Sequence, residues 1–199
     1  MNKLSVESLG FMYPDSTKVL SDVNFTLDEG DFLLLCGASG SGKSTLLRAV
    51  KPSLTPRGEL SGRILLDGTD VRMLSPREMA GRIGFVSQSP DDQIVTDKVW
   101  HELAFGLESL GTAPDEIRKR TAEMASFFGI RDWFHQDVSE LSGGQKQILT
   151  LASVMTLRPE LLILDEPASQ LDPIAAAELI SALGRINREL GTTIIVTDH

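Results

Sequence analysis

The sequence predicts an α/β fold: a mostly parallel sheet wrapped by helices, preceded by an antiparallel β subdomain and interrupted by an inserted helical subdomain. Short continuous apolar runs at Phe32–Cys36, Leu161–Leu164 and residues 193–196 read as strands buried on both faces of a parallel sheet. An Ala-rich helical pattern over Pro173–Leu190 lies between the last two runs, so strand, helix and strand follow one another as in a βαβ unit. From about residue 90 to 158 strand signals fade, and residues 99–110, 115–128 and 145–157 have helical spacing.

The amino-terminal region follows a different rule. Residues 4–9 and 23–27 alternate apolar and polar side chains, the pattern of half-exposed strands, and Asp28, Glu29, Gly30 and Asp31 form a turn signal before the next run. This start reads as antiparallel. Residues 57–62 and 111–114 read as turns or loops. With 199 residues and 41% hydrophobic content, the chain supports one substantial core with a satellite lobe. The expected division is 1–88 for the β subdomain and first part of the core, 89–158 for the helical lobe, and 159–199 for the rest of the core.

The apolar runs are far shorter than the roughly 20 residues that span a bilayer. The first residues lack the long apolar stretch of a secretory signal, and the lone Cys36 forms no internal disulfide, which points to a reducing, cytoplasmic setting. The net charge of −9, from 28 acidic and 19 basic residues, repels phosphate backbones at long range, so no nucleic-acid partner is expected.

Chemistry concentrates at three motifs. Gly37, Ala38, Ser39, Gly40, Ser41, Gly42, Lys43 and Ser44 match the P-loop pattern between a strand and a helix that opens with Thr45. Glycines let successive N–H groups face inward, and the helix N-terminus adds partial positive charge. Lys43 would reach the β- and γ-phosphates of ATP, and Ser44 would offer its hydroxyl to Mg²⁺. At the end of the Leu161–Leu164 run, Asp165 would help hold Mg²⁺ and Glu166 is placed to polarise an attacking water. The third motif is Leu141, Ser142, Gly143, Gly144 and Gln145 at a helix start, with Ile148, Leu151 and Met155 on one face. Alone it reads as an ordinary N-capped helix; beside a P-loop it reads as a second anion cradle.

These motifs, in this order, resemble the ATP-binding cassette (ABC) family across nearly the whole chain. The resemblance implies a P-loop NTPase core, ATP and Mg²⁺ as ligands, and ATP hydrolysis coupled to transport. It implies that Gln88 is the Q-loop residue touching Mg²⁺ and catalytic water, that His199 contacts the γ-phosphate, and that Tyr13 stacks on adenine, although Tyr13 beside Pro14 also suits packing. Asp172 would act across a dimer interface, while an N-cap before Pro173 is a compatible reading. In the family two cassettes pair head to tail, so Ser142 to Gln145 of one close over the P-loop ATP of the other. The implied partners are therefore a second ATPase subunit, identical or not, or a fused second cassette, together with an integral membrane transport subunit on whose cytoplasmic face the chain would sit.

Residues 88–106 are similar to the energy-coupling-factor and cobalt-type importer ATPases, which implies vitamin or cobalt/nickel uptake, with Asp91, Asp92 and Glu102 offering charge to basic residues of the membrane subunit. Asp198 before His199, and Ile148 where many relatives place Arg, depart from the family pattern. The family usually continues beyond the switch histidine, so a longer parent protein is expected. The rival readings are a non-transport ABC ATPase acting in DNA repair or translation, and a regulatory subunit that binds ATP without hydrolysing it.

Overall fold

A computed structural model describes residues 2–198. Strands β1 (Asn2–Met12) and β2 (Lys18–Asp28) form an antiparallel ribbon, followed by β3 (Phe32–Cys36), α1 (Lys43–Val50), β4 (Glu59–Leu66), β5 (Thr69–Asp70), α2 (Pro76–Arg82) and β6 (Ile83–Val86). The helical lobe holds α3 (Val99–Ser109), α4 (Pro114–Phe127) and α5 (Gly143–Met155); β7 (Leu161–Leu164), α6 (Pro173–Leu190) and β8 (Thr193–Asp198) complete the core. Two four-stranded sheets result, an antiparallel one in the order β2-β1-β4-β5 and a parallel one in the order β3-β8-β7-β6. Among the described residues no helix is long and apolar enough to cross a membrane.

The period-two side-chain rule explains how the layers stack. Leu161 and Ile163 of β7, with Ile195 of β8, face a cluster built from α1, α2 and the antiparallel sheet. Their neighbours Leu162, Leu164, Ile194 and Val196 face the opposite cluster with α5 and α6. The central strands are thus buried on both faces, and α1 lies between the two sheets. A separate cluster, including Val99, Leu103, Ile130 and Leu149, is the helical lobe's own core.

Two expectations are corrected. Phe32–Cys36 is a strand but is not buried on both faces: among the described strands it pairs only with β8, and Phe32 and Leu34 are 44% and 52% exposed. Residues 59–62, expected in a turn, open β4, and 59–61 pair with β1. Gly62 explains the misreading, because it serves the sheet itself. Its φ is 82°, and an added Cβ would lie 2.4 Å from the Ser8 carbonyl oxygen, where β1 shifts register against β4 between Glu7 and Gly10.

Candidate functional site

The loop from Gly37 to Gly42 turns sharply because Gly42 takes φ 95°, a left-handed conformation, and an added Cβ would sit 2.9 Å from the Val19 side chain. Gly42 is the N-cap of α1 and provides no side-chain cap, while the first turn contains no acidic residue. The helix end therefore keeps its partial positive charge directed at the loop. Lys43 curls back over it, Nζ donating to the Gly37 carbonyl at 2.6 Å and the Ala38 carbonyl at 3.3 Å, and lies 3.7 Å from Glu166 Oε1. Ser39 to Thr45, Tyr13, Val19, Gln88 and Glu166 line one cleft of about 340 Å³. Sequence-distant elements thus place a lysine, a carboxylate and an amide around a single loop.

The parallel pairing of β7 and β8 sets the acidic pair. Leu164 registers with Val196, so the next step along both strands brings Asp165 beside Thr197. Asp165 is 5% exposed, and its Oδ1 accepts from Ser44 Oγ at 2.8 Å, while Arg48 lies 3.9 Å from Oδ2. Glu166 adopts φ 48°. Its N–H donates to Thr197 Oγ1 at 2.9 Å, and its carbonyl accepts from Ser169 Oγ at 2.9 Å. The hydroxyl of Ser44 and the carboxylate of Asp165 are hard oxygen donors held together, a set that suits Mg²⁺.

Gln88 is exposed at the cleft and donates through Nε2 to Ser169 Oγ at 3.2 Å. Gln93 braces the same loop, accepting from the Ser87 N–H at 2.9 Å and donating to the Phe85 carbonyl at 2.8 Å. Tyr13 is half-buried at the mouth; its hydroxyl is 3.2 Å from Thr45 Oγ1, and its ring meets Phe11 edge-on at 4.9 Å. Packing and hydrogen bonding hold this ring in place while it lines the cleft. His199 lies outside the described residues.

The second glycine-rich helix start occupies a different cleft, of about 520 Å³, lined by Ser142, Gly143, Gly144, Gln145, Gln170, Leu171, Asp172, Ile174, Ala175 and Glu178. It shares no lining residue with the P-loop cleft. Ser142 caps α5: its Oγ accepts from the Gln145 N–H at 3.2 Å, and Gln145 Oε1 accepts from the Ser142 N–H at 2.9 Å. Asp172 caps α6 in the same way, accepting from the N–H groups of Ile174 and Ala175 at 2.9 and 3.0 Å. Close approach of the two helices requires Gly144, where an added Cβ would lie 2.8 Å from that of Ala175.

The expectation for Glu102 is corrected. It is 5% exposed and accepts from the N–H groups of Val95 and Thr96 at 3.1 and 2.9 Å, so it braces the helical lobe and offers no surface charge. Asp91 pairs with Lys146 at 2.6 Å, and Asp92 is exposed. Sequence reasoning gave Thr197 no role and read Ser169 only as the start of the segment ending at Asp172, not as a partner of Gln88 and Glu166. The usable signal for Thr197 was a hydroxyl directly after the apolar run 193–196, which was expected to run parallel to the run that Asp165 follows.

Comparison with known proteins adds three findings. The family described as "ABC transporter" matches residues 20–169. A Bacillus cereus protein, provisionally named as an ABC transporter ATP-binding protein, is 46% identical over 195 residues, covering 98% of this chain and 35% of its own length. One of Pyrococcus abyssi with the same kind of name is 39% identical over 203 residues, covering 100% of this chain and 72% of its own. Among solved structures, cbiO1 from Clostridium perfringens, described as part of the ABC transporter complex cbiONQ, superposes with TM-score 0.89 at 33% identity, covering 100% of this chain and 79% of that one. The chain spans about a third of the length of the Bacillus relative.

Proposed function

Because this chain belongs to the ABC transporter family, we propose that it binds and hydrolyses ATP to power membrane transport, as the nucleotide-handling part of an importer for a micronutrient such as a vitamin, cobalt or nickel. The observation that carries the hydrolytic part is the convergence at one cleft. Lys43 lies 3.7 Å from Glu166, and Ser44 is bonded to Asp165 at 2.8 Å. The importer assignment draws support from the likeness to cbiO1, whose description places that protein in the cbiONQ transporter complex.

In this reading the P-loop N–H groups and the Lys43 ammonium bind and orient the β- and γ-phosphates. Ser44, Asp165 and Gln88 would hold Mg²⁺, which neutralises charge on the phosphate oxygens. Glu166 orients the attacking water and accepts its proton. Gln88 and Glu166 bond to the same Ser169, so the amide and the base share one support. Tyr13 presents its ring to adenine, and His199, next in sequence after β8, is the residue assigned to the γ-phosphate.

Ser142, Gly143, Gly144, Gln145 and Asp172 line the separate second cleft, which suits a head-to-tail partner whose P-loop they close. That partner is a second ATPase subunit or a fused cassette. The Bacillus relative, of which the match occupies 35%, has room for another segment of this length. The load is an integral membrane subunit at the cytoplasmic face of the membrane, met in part by the Gln88 to Gly106 segment through Asp91 and Asp92.

The deciding experiment measures Mg²⁺-dependent phosphate release by the full-length protein with and without Glu166→Gln. The expected result is turnover in the wild type and a substituted protein that binds ATP, pairs and loses turnover by about a thousandfold, as removal of a catalytic base and its electrostatic contribution allows. ATP binding without turnover in the wild type would establish the regulatory alternative instead.

A further inference from the structure

We infer that Thr197 is a positioning residue for this hydrolytic site, its one hydroxyl fixing both the backbone that aims Glu166 and the carboxylate of Asp165. Thr197 is 1% exposed and is the penultimate residue of β8, a buried position where valine would serve the core equally well. A buried hydroxyl is costly unless it is used, and this one is used twice. It accepts the Glu166 N–H at 2.9 Å, and its own hydrogen points toward Asp165 Oδ1 at 3.2 Å, with the Leu164 carbonyl at 3.5 Å. The same Asp165 oxygen accepts from Ser44 at 2.8 Å, so Ser44 and Thr197 hold it from two sides.

Glu166 requires such a brace. Its φ of 48° is a left-handed conformation that a residue with a Cβ avoids, and it persists only where the surroundings over-determine it. Ser169 holds the carbonyl end of the residue and Thr197 the N–H end. Without the Thr197 hydroxyl the amide loses its acceptor, Glu166 can relax toward ordinary φ, and its carboxylate leaves the direction of Lys43. Thr197 touches neither phosphate nor water in this account; it acts through Asp165 and Glu166.

The inference rests on the hydrolytic reading and is tested beside it in the full-length protein, using Thr197→Val, which keeps the shape and deletes the hydroxyl, and Thr197→Ser, which keeps the hydroxyl. Amide hydrogen exchange at Glu166, read in nucleotide-free protein, should accelerate in T197V and stay close to wild type in T197S. In T197V, kcat for ATP hydrolysis should fall about tenfold or more, and the Mg²⁺ concentration for half-maximal rate should rise, as when a residue that orients metal ligands is removed. The nucleotide affinity measured without Mg²⁺ should stay at the wild-type level, and T197S should recover most of kcat. Thr197→Ala reads the same quantities if the valine protein does not fold. A T197V protein with wild-type kcat, Mg²⁺ dependence and Glu166 exchange, even at a lower Tm, overturns the positioning role alone, as does a T197S protein as impaired as T197V. A wild type that binds ATP without turnover overturns the hydrolytic reading and the positioning role with it.

Discussion

The two glycine-rich helix starts of this chain look alike in sequence and behave differently in the fold. At α1 the cap is Gly42, which offers no side chain to the first-turn N–H groups, and the next residue is Lys43. At α5 the cap is Ser142, closed into a reciprocal box with Gln145, and the nearby Lys146 is engaged by Asp91 at 2.6 Å. The first helix end thus presents backbone donors and a cation to whatever enters its cleft. The second satisfies part of itself and contributes chiefly its dipole and the close approach its glycines permit. In the proposed function one local device serves as a binding site at α1 and a closing surface at α5, separated by whether a side chain caps the helix.

That contrast is broken most directly at Lys43. Lys43→Ala removes a charge-assisted contact to phosphate and should lower ATP affinity by about a hundredfold, the upper end of what such a bond contributes; titration with a fluorescent ATP analogue measures it. Unchanged affinity would mean that the Lys43 ammonium makes no contact that contributes to nucleotide binding. Gly144→Ala tests the other start. Its Cβ would lie 2.8 Å from that of Ala175, so α5 and α6 must move apart at a cost of about 1–3 kcal/mol. ATP affinity should stay within about twofold, while the misplaced second cradle lowers turnover about tenfold. A parallel loss of affinity would show that the two clefts are not independent. Smaller still is Ser142→Ala, which removes the acceptor for the Gln145 N–H and should cost about 1 kcal/mol, read as a lower urea midpoint.

The sequence was most legible where local pattern decides structure. The limits of α6 at Pro173–Leu190 and of β7 at Leu161–Leu164 follow from helix periodicity, from Pro at the first helical position and from a continuous apolar run. The P-loop was readable because glycine spacing, lysine and hydroxyl are all prescribed by the chemistry of phosphate. What escaped was decided by distant chain. Residues 57–62 looked like a turn because glycine and serine punctuate them, yet from Glu59 onward pairing with β1 makes a strand. Phe32–Cys36 looked doubly buried because its run is apolar, but sheet order leaves its outer edge without a strand among the described residues. Glu102 looked like surface charge until two backbone N–H groups seven and six residues upstream claimed it. Thr197 meets Glu166 and Asp165 only through the register of β8 against β7, which its own neighbours in sequence do not set.

The supports beneath the two helix starts differ as well, and acid separates them. Behind the P-loop, the antiparallel sheet is fastened to the parallel one by a charge cluster. Lys3 reaches Asp67 at 2.9 Å and Glu160 at 3.1 Å, and Arg82 reaches Asp67 at 2.5 Å and Glu160 at 2.9 Å. Hydrogen bonding from Arg82, opposed by burial and supported by a hydrogen bond from Lys3, holds the Glu160 carboxyl down at about 2, below its ordinary 4.5. A depressed carboxylate pKa contributes stability that is present in full above the unfolded value and is lost as pH falls through the folded one. The clamp should therefore weaken between about pH 4.5 and 2. Glu160 is 40% exposed, so solvent screening reduces its share to about 1 kcal/mol. Glu160→Gln should lower the urea midpoint at neutral pH by that small amount and flatten the acid limb between those two values. Hydrogen exchange in acid should show β1 and α2 loosening while the start of α5, capped by neutral side chains, keeps its protection. Equal loosening at both helix starts would mean that they share one support.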